Sequence, residues 1–204
     1  MIKNIIFDWS GTLSNDLVPV YKSLMEVFKE LGIKKMTLNE FQDNFSLPYV
    51  KFFNSYVKVS KEKIDRLFLN HFSGDDVKLF PNVKNTLDFL KNKNVKMVIL
   101  SSHPQSKIEM EIKDYKLNRY FDEVVGGIND KRKIIIDLIE RNNFKPKETI
   151  YVGDMVHDIM AGKEAHIKTV AITWGYNSKQ RLLSANPDYT IDKIGEIKNI
   201  INKL

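Results

Sequence analysis

The chain has 204 residues, of which 43% are hydrophobic and 28% are charged, values that are ordinary for a folded globular protein. Lysine and arginine outnumber aspartate and glutamate by 32 to 26, which leaves a formal net charge of +6. The basic residues are scattered rather than gathered in a block with aromatic residues. We therefore expect no nucleic-acid partner. The net positive charge would instead favour an anionic small substrate.

Cysteine is absent, which excludes disulfides, thiolate metal sites and a cysteine nucleophile. No apolar run approaches membrane-spanning length, and no signal-peptide pattern precedes the first strand. We therefore expect a cytoplasmic protein with no membrane partner. For its oligomeric state, we expect a monomer or a homodimer.

The first predicted strand is the apolar run before Asp8, and helical patterns follow it. Helices are predicted over 17–31, from the N-cap Thr37 onward, over 47–57 and from the N-cap Ser60 onward. Thr37 and Glu40 have the spacing of a capping box. These patterns predict an all-helical segment from Asp16 onward, with no convincing strand.

From residue 80 onward the pattern alternates between helix and strand. Strands are predicted over 95–100, 121–125, 149–152 and 169–172, and helices over 83–90, 105–115, 131–143, 156–164 and 191–201. Such alternation is typical of a parallel sheet covered by helices on both faces. The predicted fold class is α/β, with a Rossmann-like three-layer core over residues 1–14 and 80–204. An all-helical cap domain over residues 15–79 is inserted into that core.

Polar residues follow three of the predicted strands: Asp8, Ser101, and Asp154 with Asp158. Because the carboxyl ends of parallel strands meet at one edge, where ligands bind, we expect these side chains to lie close together. Lys131 opens the helix that precedes the strand ending at Asp154. Carboxylates bind Mg²⁺ through oxygen, and a metal ion with a lysine neutralises a transferring phosphoryl group. The set therefore predicts phosphoryl-transfer chemistry.

This order and spacing resemble the haloacid dehalogenase superfamily, from residue 2 to the end of the chain. The matching motifs are the turn from Asp8 to Thr12, Ser101 after its apolar strand, a lysine, and the acidic motif from Gly153 to Asp158. The helical insert is similar to the family's C1 cap. The overall form resembles the phosphoglycolate-phosphatase-like branch.

The resemblance implies that Asp8 attacks phosphorus and forms an aspartyl-phosphate. It also implies that Asp8, the backbone carbonyl of Ser10 and Asp154 hold Mg²⁺, with Asp158 beside the metal or its waters. The implied function is that of an Mg²⁺-dependent hydrolase of a small phosphorylated metabolite.

The resemblance further implies a phosphate-binding set. Thr12 would support Asp8 beside the substrate, Ser101 and Ser102 would bind phosphate oxygens, and a lysine would neutralise them. Lys131 fits that lysine better than Lys133, because apolar residues follow Lys131 by three, four and seven positions, the helix phase of the family.

Ser10 departs from the family pattern, because phosphatases of this family carry aspartate there as the acid and base of the reaction. A serine hydroxyl cannot replace a carboxylic acid near neutral pH, and losing a positioned acid or base costs about 10²–10⁴-fold in rate. We expect slow turnover unless His103, Asp16 or a cap residue takes over the role.

Two alternatives to a phosphatase stay open at this point. One is a non-catalytic family member that binds a phospho-ligand or a protein partner. The other is a phosphonatase-like hydrolase of a C–P bond, which needs a cap lysine that forms a Schiff base. The candidates for that lysine are Lys22, Lys29, Lys51 and Lys58.

Overall fold

The structure is a computed structural model that describes residues 1–74 and 77–203. Its strands are β1 (Asn4–Phe7), β2 (Ser14–Asn15), β3 (Lys78–Leu79), β4 (Lys96–Leu100), β5 (Glu123–Val125), β6 (Thr149–Gly153), β7 (Lys168–Ile172) and β8 (Tyr189–Ile191). Its helices are α1 (Leu17–Glu30), α2 (Leu38–Asn44), α3 (Tyr49–Asn54), α4 (Lys61–His71), α5 (Val83–Asn92), α6 (Gln105–Asp114), α7 (Lys131–Arg141), α8 (Val156–Glu164), α9 (Lys179–Ser184) and α10 (Ile197–Lys203). Within these residues, no helix is long and apolar enough to cross a membrane.

A parallel sheet of six strands, in the order β5-β4-β1-β6-β7-β8, forms the centre of the molecule. Strand β1 lies between β4 and β6, with Ile6 opposite Val98 on one side and Tyr151 on the other. The carboxyl ends of these three neighbouring strands therefore lie side by side. This arrangement confirms the predicted α/β fold class.

Helices cover both faces of the sheet and produce three layers. Ile5 and Phe7 of β1 belong to the apolar cluster that includes α5 and α10, whereas Ile6 belongs to the cluster with α7. Successive side chains of a strand point to opposite faces, so a central strand covered on both sides needs apolar residues at consecutive positions. The run before Asp8 meets that requirement.

The inserted segment, residues 15–79, which we call the cap, has its own aromatic cluster. Phe28 packs against Phe52 and Phe53, with ring centroids 5.8 and 5.1 Å apart. The predicted capping box is present, because Thr37 Oγ1 accepts from the Glu40 N–H and Glu40 Oε2 accepts from the Thr37 N–H. Burial of this cluster stabilises helices that are individually short.

Strands β2 and β3 pair antiparallel where the chain enters and leaves the cap. Each has two residues, which is too short to produce a recognisable period in the sequence. This ribbon supports our proposal that residues 15–79 form a separate cap domain.

The C-terminal region differs from the predicted helix over 191–201. Strand β8 occupies its start, and α10 begins at Ile197. Isoleucines at Ile191, Ile194 and Ile197 recur every three residues and imitate a helical face. The Asp188 carboxylate accepts from the N–H and hydroxyl of Thr169, at 2.8 and 2.9 Å, which ties the start of β8 to β7. The short helix α9 carries no clear period in the sequence and was not predicted.

The aromatic cluster of the cap should dominate its stability. We expect Phe28→Ala to lower the free energy of unfolding by about 3–5 kcal/mol, because it leaves a cavity between three aromatic rings. Leu69→Ala, at a side chain of the same inserted segment that is 70% exposed, should change the free energy of unfolding by less than about 0.5 kcal/mol. Urea titrations of both variants measure the difference, and equal effects would contradict this description of the cap.

Candidate active site

The turn after β1 brings the site together. Gly11 has a φ of +71°, in the left-handed region that favours glycine. A Cβ at Gly11 would lie 2.4 Å from Asp154 Oδ2, so this position also lacks room for a side chain. The turn closes on Trp9, whose carbonyl accepts from the Leu13 and Ser14 N–H groups at 2.9 Å. A glycine is needed here for both conformation and space.

Three buried carboxylates, Asp8, Asp154 and Asp158, each offer an oxygen within 4.8 Å of the others. Burial raises the pKa of Asp8, against the opposing charge of Lys131. Burial also raises the pKa of Asp154 well above its ordinary value, and the charges of Asp8 and Asp158 add to that effect. An all-oxygen set with excess negative charge suits a hard divalent cation such as Mg²⁺. The residues present therefore fit the metal that the sequence predicts.

Hydrogen bonds fix the orientation of two of these carboxylates. Asp8 Oδ1 accepts from the Trp9 N–H at 2.6 Å. Asp154 Oδ1 accepts from the Thr12 hydroxyl at 3.1 Å, and its Oδ2 accepts from the Tyr176 N–H at 2.6 Å. Thr12 was expected to support Asp8; its hydroxyl instead donates to Asp154.

Lys131 is completely buried between two of the acids, with Nζ 2.8 Å from Asp8 Oδ2 and 2.7 Å from Asp158 Oδ1. Burial alone would lower the pKa of Lys131, but the charges of Asp158 and Asp8 outweigh it and raise that pKa. The Tyr151 hydroxyl donates to the same Asp158 oxygen at 3.0 Å. Lys133 is exposed, so the structure brings Lys131 to the site and leaves Lys133 on the surface.

The two serines after β4 differ in their contacts. Ser101 is buried, its hydroxyl accepts from the His103 N–H at 3.3 Å, and the same hydroxyl acts to lower the pKa of Asp8. The Ser102 hydroxyl donates to the Ile128 carbonyl at 2.6 Å, which fastens it to a neighbouring loop. Ser101 is thus in direct contact with the site, and phosphate binding by either serine stays a prediction.

A fourth carboxylate, Asp16, lies beside the position where the family pattern loses its aspartate. The Ser10 hydroxyl donates to Asp16 Oδ2 in a short hydrogen bond, and Asp16 Oδ1 accepts from the Gly11 N–H at 2.8 Å. Burial raises the pKa of Asp16 to about 6. On the other side of Ser10, the Tyr176 hydroxyl lies 3.3 Å from Oγ. Asp16 therefore places a carboxyl group in direct contact with Ser10.

His103, another candidate for the missing acid and base, is paired with Glu111, at 3.3 Å between Nε2 and Oε1. Glu111 Oε2 also accepts from Trp9 Nε1 at 2.7 Å and from the Ser14 hydroxyl at 3.2 Å. Burial would raise the pKa of Glu111, but the nearby His103 imidazole and the hydrogen bond from Trp9 lower it below its ordinary value. Glu111 thus lies beside the His103 imidazole, but His103 Nε2 makes no hydrogen bond, and none joins His103 to Ser10 among the described residues.

Sequence reasoning missed several residues that surround the site. Tyr151 carried a usable signal, because a tyrosine in a fully buried strand needs a hydrogen-bond partner. Glu111, Tyr176 and Asn177 lie on a helix or a loop whose approach to the site depends on the fold. Their types and spacing in the sequence carry no comparable signal.

Comparisons with known proteins agree with this geometry. A sequence model described as haloacid dehalogenase-like hydrolase matches residues 5–172, from β1 through β7. The chain belongs to this family. A pyrophosphatase PpaX from Bacillus mycoides is 27% identical over 217 residues, with 100% of this chain and 98% of the relative covered. The predicted family and the prediction of a hydrolase are confirmed.

Solved structures of haloacid dehalogenase-like proteins share the fold. A predicted phosphatase from Clostridium acetobutylicum superimposes with a TM-score of 0.86 at 21% identity, covering 100% of both chains. A predicted phosphoglycolate phosphatase from Haemophilus somnus gives a TM-score of 0.77 at 22% identity, covering 98% of each chain. At these identities the likeness is one of fold.

The contacts of Lys131 predict a large effect of its removal on stability. In metal-free buffer we expect Lys131→Met to lower the free energy of unfolding by about 3–5 kcal/mol, because it leaves Asp8 and Asp158 buried without their counter-charge. Lys133→Met, on the same helix but exposed, should change it by less than about 0.5 kcal/mol. Denaturant unfolding with EDTA present compares the two, and similar stabilities would show that the buried ion pairs are not formed in solution.

Proposed function

We propose that this chain is an Mg²⁺-dependent phosphatase that hydrolyses a small phosphorylated metabolite through an aspartyl-phosphate on Asp8. The observation that carries the proposal is the buried cluster in which Asp8 contacts Lys131 and lies beside Asp154 and Asp158. A relative covering the whole chain is named as a pyrophosphatase, so inorganic pyrophosphate belongs among the first substrates to test.

In the proposed first step, a carboxylate oxygen of Asp8 forms a bond to phosphorus while the bond from phosphorus to the leaving oxygen breaks. The ammonium of Lys131 neutralises the equatorial phosphate oxygens, and the Ser101 hydroxyl positions them. Asp8, Asp154 and the Ser10 carbonyl would hold Mg²⁺, whose positive charge would offset the charge of the phosphate. Water then attacks the phosphorus of the aspartyl-phosphate, which releases phosphate and restores Asp8.

The leaving oxygen needs a proton in the first step, and the attacking water must lose one in the second. We place Asp16 in both roles, because its carboxyl group contacts the Ser10 hydroxyl at the position where the family has its acid and base. The Ser10 hydroxyl can pass its proton to the leaving oxygen while it receives one from Asp16. His103 suits this role less well, since no hydrogen bond joins its Nε2 to Ser10 among the described residues.

The phosphonatase-like alternative lacks support in the structure. A Schiff-base lysine is activated by a desolvated pocket or a neighbouring cation, which lowers its pKa. The candidate cap lysines Lys22, Lys29, Lys51 and Lys58 are all exposed.

The nucleophile assignment predicts a complete loss of turnover in one variant. Purified protein would be screened against a panel of phosphate esters and pyrophosphate, with Mg²⁺ and with EDTA. We expect phosphate release that requires Mg²⁺ and falls below detection in Asp8→Asn, because an amide oxygen is a poor nucleophile. Turnover that survives in Asp8→Asn would contradict the proposal. The absence of any turnover, with binding of phosphate retained, would favour the non-catalytic alternative.

The role given to Asp16 predicts a second, partial loss. Asp16→Asn should lower kcat by about 10²–10⁴-fold, the usual effect of removing a positioned acid or base. Asp137→Asn, which removes an exposed carboxylate on α7, should leave kcat unchanged. The exchange variant Ser10→Asp with Asp16→Ser returns the carboxylate to the position usual in the family and should recover much of the lost rate. Wild-type kcat in Asp16→Asn would exclude this role.

A further inference from the structure

The cap contacts the core beside Asp154 through Gln42 and Phe45 of the cap and residues 175–178 of the core, a set that we call the latch. Gln42 Nε2 donates to the Gly175 carbonyl at 2.6 Å, and the Ser178 N–H donates to the Gln42 carbonyl at 3.2 Å. Arg181 Nη1 adds a bond to the Phe45 carbonyl at 2.6 Å. The cap is therefore fastened to the loop after β7 by side-chain and backbone hydrogen bonds.

Asn177 connects the two sides of the latch through its buried side chain. Its Oδ1 accepts from the Val156 N–H at 2.9 Å, at the first residue of α8, and its Nδ2 donates to the Phe45 carbonyl at 3.0 Å. The Asn177 N–H also donates to the Asp154 carbonyl at 3.2 Å. One amide side chain thus joins the backbone that follows Asp154 to the cap.

Aromatic packing reinforces these hydrogen bonds. The Tyr176 ring contacts Phe45 and Phe41, with centroids 5.6 and 6.3 Å apart. Tyr176 and Met155, both from the core, belong to the apolar cluster of the cap. Because aromatic pairs attract one another beyond the effect of their area burial, this contact favours a docked cap.

The same loop determines how the Asp154 carboxylate is held. The Tyr176 N–H donates to Asp154 Oδ2 at 2.6 Å. The backbone of Gly175 passes so close that a Cβ there would lie 2.2 Å from the same oxygen. A shift of the loop would therefore remove a hydrogen bond from Asp154 or press against its carboxylate.

We propose that the latch positions Asp154, so that the protein binds its divalent cation more tightly when the cap is docked than when it is undocked. The inference rests on the proposed function in that Asp154 is taken as a metal ligand. Coupling between two binding equilibria is reciprocal, so the cation must in turn favour the docked cap by the same factor. Gln42 and Asn177 are then positioning residues, since they act on the ion through Tyr176 and Asp154.

Binding of Mn²⁺ alone, measured by electron paramagnetic resonance on the full chain without substrate, tests this coupling. Gln42→Ala removes the bond to Gly175, and we expect it to weaken Mn²⁺ binding about three- to tenfold, the effect of one hydrogen bond of ordinary strength. The matched control is Asn44→Ala on the same helix, where the Asn44 amide donates to the Glu40 carbonyl within α2. The control should bind Mn²⁺ as the wild type does.

Hydrogen exchange measures the reciprocal effect. Mn²⁺ should slow exchange of the peptide that contains the Ser178 amide in the wild type, and should slow it less in Gln42→Ala. Gln42 is only half-buried, so this variant should fold. Its melting temperature in metal-free buffer should be close to that of the wild type.

The outcomes separate the inference from the proposed function. A wild-type protein that binds no Mn²⁺ would contradict the metal site itself. Wild-type binding with unchanged affinity in Gln42→Ala, and no protection of the Ser178 peptide, would overturn the role of the latch and leave the metal site standing.

Discussion

The contact between the buried ammonium of Lys131 and the carboxylates of Asp8 and Asp158 is the constraint on which the site depends. Three clustered carboxylates face this one ammonium, so full ionisation would leave an excess of two negative charges. Such an excess is costly in a low-dielectric interior, and the raised pKa values of Asp8 and Asp154 express that cost. A divalent cation would balance the charge, and a phosphate would then meet the cation and the Lys131 ammonium without an excess of negative charge.

The parallel sheet makes this concentration of charge possible. Asp8 and Asp154 follow adjacent strands, and Ser101 follows the strand on the other side of β1. Each strand is buried and mostly apolar in the residues before its carboxyl end, and the polar residue that follows lies where the sheet stops. The stability of the apolar layers thereby offsets the unfavourable burial of the acids. Functional sites commonly depend on such stability from the rest of the fold.

Residues placed by the regular pattern of strands and helices could be predicted from the sequence, whereas residues whose approach to the site depends on the folded path of the chain could not. The choice of Lys131 over Lys133 followed from its helix phase, and the adjacency of Asp8, Ser101 and Asp154 followed from the rule for parallel strands. The contact of Asp16 with Ser10 depends on a tight turn whose path no period encodes, so Asp16 stood as one of several candidates. Asn177 has no sequence signal, because its role arises only where the cap meets the core. The spacing of isoleucines near Ile194 favoured a helix from residue 191, but Ile191 belongs to β8, because pairing with β7 overrides the helical pattern there.

In the proposed reaction, Asp8 carries the phosphoryl group during turnover. Protein quenched with acid while it hydrolyses an ester or pyrophosphate can be digested and examined by mass spectrometry. We expect a phosphoryl group on the peptide that contains β1 and the turn after it, at Asp8. Hydroxylamine should release this group, as it does with an acyl phosphate. A phosphoryl group on another residue, or steady turnover with no phosphorylated protein under any quench condition, would contradict the proposed reaction.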